Sequence, residues 1–228
     1  MVALRKDPIV ARAMSSPALF FDLDGTLTDP KPGITGCIQY ALERLDLPVP
    51  SKDELEWCIG PPLQENFTKL AGPDLAWRGV ELYRERYGEV GLFENEVYAG
   101  IPDVLDALAS TDAVLHVASS KPKVYVDRIL DHFDLTRFFA GVYGSELDGT
   151  NTDKRDLLAV ALARTATAPH DATMIGDRAH DAIGAVHNAI DFLGVLYGYG
   201  SREELEDEGT TRFISDPFEL TNALGIPT

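Results

Sequence analysis

The chain has 228 residues, 45% of them hydrophobic and 25% charged, the balance of a globular protein long enough for one large domain or two small ones. That balance excludes a disordered chain, a collagen-like fibre and a disulfide mini-scaffold. Asp and Glu number 37 against 20 Lys and Arg, and the formal charge of -17, with no local basic patch, speaks against a nucleic-acid polymer or an anionic membrane as partner.

Residues 1–16 break their apolar positions with Lys, Asp, Arg and Pro and lack the apolar stretch of a signal peptide; they read as an N-terminal tail, with Met14 as an alternative start. No apolar run approaches the roughly 18 residues needed to span a bilayer. Cys37 and Cys58 lie outside any metal-ligand spacing, and so few thiols suit a reducing compartment. The expectation is a cytoplasmic monomer or homodimer.

The first predicted strand is 18–21 (ALFF), which runs into DLDGT. Helical patterns then recur at 33–45, 52–58, 62–70 and 75–87 with no strand-like run between about 32 and 97, so an all-helical insertion follows the first strand. TDPKPG (28–33) and EVGLFENEVYAG (89–100) are its hinges. Beyond it, helix 101–109 leads to strand 113–118 (AVLHVA), which exits into SSKP, and helix 122–132 leads to strand 138–143 (FFAGVY), which exits into GSELDGT. Helix 154–164, strand 172–175 (ATMI) with exit GDRAHD, helix 179–188 and strand 191–196 (DFLGVL) with exit YGYGS complete the alternation. SREELEDEGT reads as a short solvated helix.

Repeated strand, polar loop and helix predict the α/β class: a Rossmann-like three-layer α/β/α core on a parallel sheet, comprising 17–30 and 98–228, with a helical domain at 31–97. In such sheets ligands bind outside the carboxyl ends of the strands. The polar exits converge there.

Asp22 and Asp24 leave the first strand two residues apart, so both carboxylates face one side, and Gly25 lets the chain turn away. Such a pair suits a nucleophile with a proton-moving partner, or two ligands of one divalent cation. Asp and Gly also favour plain turns. A Ser after a strand is often a helix cap, a role Ser120 would fill before Lys121-Pro122, leaving Ser119 free. Gly60, Pro61, Pro62 and Gln64 lie in a turn between two helices of the insertion, where Pro at a first helical position would serve equally well as punctuation. Arg44, Arg78, Arg84 and Arg86 read as solvated, Trp57 and Trp77 as core of the insertion, and His116, His132, His170 and His187 as residues of helix or strand faces. His180 sits within the acidic exit GDRAHD, beside Asp181, as a structural or substrate-edge group.

With these motifs in this order the sequence resembles the haloacid dehalogenase-like superfamily. DxDGT ends the first strand (Asp22, Asp24, Gly25, Thr26), Ser119 ends a later one, Lys154 follows, and Gly176-Asp177-Arg178-Ala179-His180-Asp181 matches the acidic GDxxxD. The insertion falls where the type 1 cap of that superfamily sits. GPPLQENF, VYAGIPDVLDAL, SSKP and GSELDGT look like the phosphoglycolate phosphatase-like branch.

The resemblance implies a phosphatase of small phosphoesters in which Asp22 attacks phosphorus to give an aspartyl-phosphate and Asp24 moves the protons. It also implies Mg²⁺ held by Asp22, Asp24 through its backbone carbonyl, and Asp177. Asp181 completes the acidic set as a ligand or as the group that orients water or Lys154. Phosphate would meet Gly25, Thr26, Ser119, Ser120 and Lys154, and the substrate would meet Gly60 and Gln64. Asp24 disfavours dehalogenase and phosphonatase chemistry, whose enzymes lack it. A β-phosphoglucomutase-like transferase, a nucleoside monophosphate phosphatase and a non-catalytic phosphate binder are the alternatives, and Leu63 and Gln64, where a mutase would gain from a basic residue, favour hydrolysis.

Overall fold

The computed structural model describes residues 16–226, so the tail before residue 16 and the choice of start at Met14 lie outside the described residues. The first half contains β1 (Ala18–Phe21), β2 (Thr28–Asp29), α1 (Lys31–Arg44), α2 (Leu63–Ala71), α3 (Pro73–Tyr87), β3 (Glu96–Val97) and α4 (Ile101–Ala109). The second half contains β4 (Val114–Pro122), α5 (Lys123–His132), β5 (Gly141–Ser145), α6 (Lys154–Thr165), β6 (Ala172–Gly176), α7 (Ala179–His187), β7 (Asp191–Val195), α8 (Arg202–Asp207), β8 (Phe213–Ile214) and α9 (Leu220–Ala223).

Six strands form one parallel sheet in the order β5-β4-β1-β6-β7-β8, the Rossmann-like α/β fold expected. β1 is central because its four residues are apolar on both faces and all buried. Phe20 packs on one side with Leu157, Leu158, Met174 and Ala185, while Leu19 and Phe21 turn to the other. The second cluster continues into the helical segment through Phe67, Tyr83 and Leu92. The chain moves outward from β1 to β4 and β5, then returns to β6 on the opposite side. That reversal opens a crevice at the carboxyl end of β1.

Several boundaries differ from the expectation, each for a local reason. Residues 52–58 form turns and a short 3₁₀ segment (Glu56–Cys58) rather than a helix. The strand expected at 138–143 is shifted to Gly141–Ser145, because Thr136–Phe138 closes a 3₁₀ turn that buries Phe138. The insertion is flanked by strands after all: Thr28 and Asp29 pair antiparallel with Val97 and Glu96, a two-residue ladder too short to register as periodicity. β8 was equally silent for the same reason. Trp57 and Trp77 are not core residues, at 39% and 63% exposure. Arg86 is not simply solvated, since it forks onto Glu94 at 2.7 and 2.9 Å. In the acidic segment, α8 buries Leu205 and directs Glu204 inward to Arg178. Among the described residues no helix is long and apolar enough to cross a membrane.

Candidate active site

The DLDGT segment leaves the sheet through a tight turn. The amides of Leu27 and Thr28 both donate to the Leu23 carbonyl, and Gly25 takes a φ of +83° that a side chain would strain. A Cβ on Gly25 would also lie 2.2 Å from Asp177 Oδ2, so glycine is what lets the β1 and β6 exits approach each other. Leu23 points into the core while Asp22 and Asp24, two apart, both line the crevice.

Three other strand exits complete the site. β6 delivers Asp177, and the first turn of α7 delivers Asp181; both are essentially inaccessible. Asp177 Oδ2 accepts from the Tyr199 amide at 2.8 Å and Oδ1 from the Thr26 hydroxyl at 3.4 Å, while Asp181 Oδ2 accepts from the Arg178 amide at 3.2 Å. At the start of α6, capped by Asp153, Lys154 extends into the crevice. Its ammonium donates to the Ala118 carbonyl at 2.8 Å and lies 3.1 Å from Asp22 Oδ1 and 2.7 Å from Asp181 Oδ1. The expected site residues are thus brought together, with two differences. Lys154 is engaged by three protein oxygens rather than held out for phosphate. The side of Gly25 and the hydroxyl of Thr26 face Asp177 and do not line the crevice.

β4 supplies the residues sequence reasoning misjudged. The strand expected to stop at residue 118 continues through SSKP to Pro122, and its pairing with β5 slips between Ser119 and Pro122. Such a bulge re-aims side chains. Ser119 and Ser120 line the crevice, with Ser119 buried, but Ser120 caps no helix: Pro122 occupies the cap position of α5, and the Ser120 carbonyl accepts from Ser145 Oγ at 2.8 Å. Lys121, read as part of a loop, turns inward. Its ammonium lies 2.7 Å from Asp24 Oδ2 and donates to the Tyr87 hydroxyl on α3. Only its place one residue before Pro122 in a strand exit could have pointed to it.

Burial, then the charges of Asp181 and Asp22, push Asp177 well above the ordinary carboxylate value, and burial pushes Asp181 up to about 6 with Lys154 opposing. Burial likewise raises Asp24 against the pull of Lys121. For the two lysines burial acts downward, but Asp181 and Asp22 around Lys154, and Asp24 beside Lys121, overcome it and hold both in the charged form.

Four carboxylates therefore face two ammonium groups, an excess of two negative charges. Ligand oxygens of Asp22, Asp177 and Asp181 all lie within 4.8 Å of one another, and among the described residues the buried Oδ1 atoms of Asp22 and Asp181 meet no donor besides the Lys154 ammonium. A hard divalent cation with oxygen ligands fits that set in charge and in donor type. The Asp24 carboxylate stands outside the trio and pairs with Lys121.

Over the crevice, Gly60, Pro61, Leu63, Gln64, Trp77, Tyr83, Arg84 and Tyr87 form the opposite wall, so Gly60 and Gln64 do face the acidic end. His180 reaches the same space. Arg178 crosses from the core to the Ile59 carbonyl in that wall, its Nε held by Glu204 at 2.9 Å, and Arg84 reaches down to the Leu147 carbonyl at 2.9 Å.

The sequence profile of haloacid dehalogenase-like hydrolases matches residues 19–195, the span that carries the four aspartates and both lysines of the site. The chain belongs to the haloacid dehalogenase-like hydrolase family. Among curated relatives, a 5'-nucleotidase of Pseudomonas aeruginosa is 45% identical over 93% of this chain and 97% of its own. Tyrosine-protein kinase PtkA of Mycobacterium tuberculosis is 35% identical over 94% of this chain and 76% of its own. Phosphoglycolate phosphatase of Escherichia coli is 26% identical over 91% and 92%. Of solved structures, a predicted phosphatase from Clostridium acetobutylicum superposes with a TM-score of 0.88 at 38% identity, covering 92% of this chain and 99% of that one. The haloacid dehalogenase-like chain described here is thus an enzyme with the fold of the family's phosphatases.

Proposed function

We propose that the chain is a Mg²⁺-dependent phosphatase of small phosphomonoesters, working through an aspartyl-phosphate on Asp22. The observation that carries the reading is the placement of Asp22 and Asp24 side by side at the end of β1, inside a crevice that also gathers Asp181 and two lysines, with Asp177 buried directly behind it. An Asp22 oxygen attacks phosphorus in line with the ester oxygen, the P–O bond to the alcohol breaks, and Asp24 gives that oxygen its proton. Asp24, now a carboxylate, takes a proton from water, whose oxygen attacks phosphorus and returns Asp22 and inorganic phosphate. Ser119 offers a hydroxyl to the phosphoryl oxygens, and Lys154 keeps Asp22 and Asp181 in place. Asp22, Asp177 and Asp181, with the main chain of Asp24, would hold the cation, which supplies positive charge against the phosphoryl group. Residues 31–97 act as a cap that bends at the β2–β3 ladder and closes over the substrate to exclude water.

For the alcohol part of the substrate, nucleoside monophosphate is supported over phosphoglycolate. The crevice is lined by Trp77, Tyr83 and Tyr87 of the insertion and Tyr125 of α5, with Leu63 and Val80, a set suited to a planar base. The two arginines that could meet a small carboxylate are occupied by the Ile59 and Leu147 carbonyls and Glu204. The high identity to the P. aeruginosa 5'-nucleotidase supports the same choice, and the E. coli relative supports the other.

The test is phosphate release from nucleoside monophosphates, phosphoglycolate and hexose phosphates, with Mg²⁺ and with EDTA, beside Asp22→Asn. Release that needs metal and falls at least about 1,000-fold in the variant is expected. Unchanged release by Asp22→Asn would remove the nucleophile assignment, and phosphate migration on hexose phosphates without release would replace the phosphatase by a mutase.

A further inference from the structure

We infer that Lys121 is a positioning residue for Asp24 and that the Tyr87 hydroxyl makes this positioning depend on the cap helix α3. The inference rests on the phosphatase reading and deepens it.

The two acidic residues of the DLDGT turn each have a lysine, and the lysines are held differently. Lys154 belongs wholly to the core, meeting Asp22, Asp181 and the Ala118 carbonyl. Lys121 bridges two parts of the molecule: its ammonium pairs with Asp24 Oδ2 at 2.7 Å and donates to Tyr87 OH on α3. Both side chains of the ion pair are nearly buried, at 8% and 11% exposure, so water does little to weaken it. Tyr87 in turn is fixed by ring stacking on Tyr83 at 5.0 Å and by an edge contact with Tyr125 at 5.4 Å, and Lys121 Nζ lies 4.9 Å from its ring centre.

This arrangement decides which oxygen of Asp24 faces the substrate. Oδ2 is taken by Lys121, while Oδ1, in a residue that lines the crevice, is buried and has no hydrogen-bond partner among the described residues. A carboxylate free to rotate would present either oxygen; one pinned at Oδ2 presents Oδ1 alone. Since a misplacement of about 1 Å can cost about 100-fold in rate, pinning matters most for the step in which Asp24 delivers a proton to the leaving oxygen. The β4 bulge is the backbone device that turns Lys121 inward to do this. The tyrosine arrives only with α3, so Asp24 is held fully in position when α3 lies against the core.

A residue that acts through the general acid has a signature that a merely structural one lacks. A p-nitrophenolate leaves without a proton, whereas an alkoxide needs one, so loss of positioning should be felt by alkyl esters far more than by the aryl ester. The experiment measures kcat/KM, which reports steps up to release of the alcohol, for p-nitrophenyl phosphate and for the best alkyl phosphomonoester. Wild type, Lys121→Met, Tyr87→Phe and Asp24→Asn are compared. Lys121→Met is expected to lose about 100-fold on the alkyl ester and less than about 10-fold on the aryl ester, in the same sense as Asp24→Asn. Tyr87→Phe, which keeps the ring packing and removes only the hydroxyl, should show the same preference at about a tenth of the size. Equal losses on the two esters, or none, in either variant would overturn the inference while leaving the phosphatase intact. Absence of release from both esters by the wild type would overturn the underlying reading instead.

Discussion

Burial sets the chemistry of individual side chains here, and the acidic pocket is only one example. His116, on β4, is buried against the Phe20 ring at 5.0 Å and the Tyr143 ring at 5.9 Å, and desolvation lowers its proton affinity. The folded protein therefore binds this proton less readily than the unfolded chain does. Stability contributed by neutral His116 is complete above the unfolded value of about 6.5 and is lost as pH falls below it, because the unfolded state then takes up more protons. Replacing His116 with Phe, which suits the aromatic stack, should leave the melting temperature within a few degrees near pH 8 and make it fall less steeply than that of the wild type between about pH 6.5 and 5. Parallel melting curves across that range would mean that His116 accepts its proton in the folded state. The same residue illustrates what was legible at this scale: a histidine in an apolar run belongs to a strand face, and it does. Asp22, Asp24 and Asp177 were legible because Asp and Gly at fixed offsets after a strand are a local pattern. Lys121 was not, since its function depends on a bulge and on a tyrosine 34 positions away.

At the scale of elements, periodicity reads long segments well and short ones poorly. Helix Ile101–Ala109 was expected at those bounds, since its apolar residues repeat over more than two turns. The β2–β3 ladder and β8 have two residues each, too few to show any period, and β4 overran its expected end because SSKP carries polar side chains on a backbone that still pairs with β5. One close contact shows how tightly the insertion is packed. Gly33, in the first turn of α1, lies against the 3₁₀ turn Gly91–Phe93, and a Cβ there would fall 2.0 Å from the Gly91 carbonyl oxygen. Alanine would gain up to about 1 kcal/mol of helix propensity. It would also force two stretches of backbone apart, at a cost of about 1–3 kcal/mol or more. The clash wins, so Gly33→Ala should lower the urea midpoint of unfolding at unchanged slope; a higher midpoint would show that α1 shifts freely at this end.

For the molecule as a whole, charge couples the site to stability. The formal charge of -17 already favours expansion, and at the site the four carboxylates of Asp22, Asp24, Asp177 and Asp181 cluster around two ammonium groups. A divalent cation bound there should stabilise the folded state by RT ln(1 + [L]/Kd), about 2.7 kcal/mol at a hundredfold excess over Kd. For a chain of 228 residues that corresponds to a rise in melting temperature of about 5–10 °C. Screening of the surface by salt would also raise the melting temperature, so the comparison is made against KCl at matched ionic strength. Asp177→Asn separates the two effects. It removes one charge from the trio within 4.8 Å, and the amide oxygen can still accept from the Tyr199 amide. Without metal the variant should melt higher than the wild type, because a buried repulsion is gone; with Mg²⁺ it should gain no more than KCl gives. A wild type that responds to Mg²⁺ only as it does to KCl would show that the excess charge is met by protonation of the buried aspartates, whose raised proton affinity is the alternative to a cation.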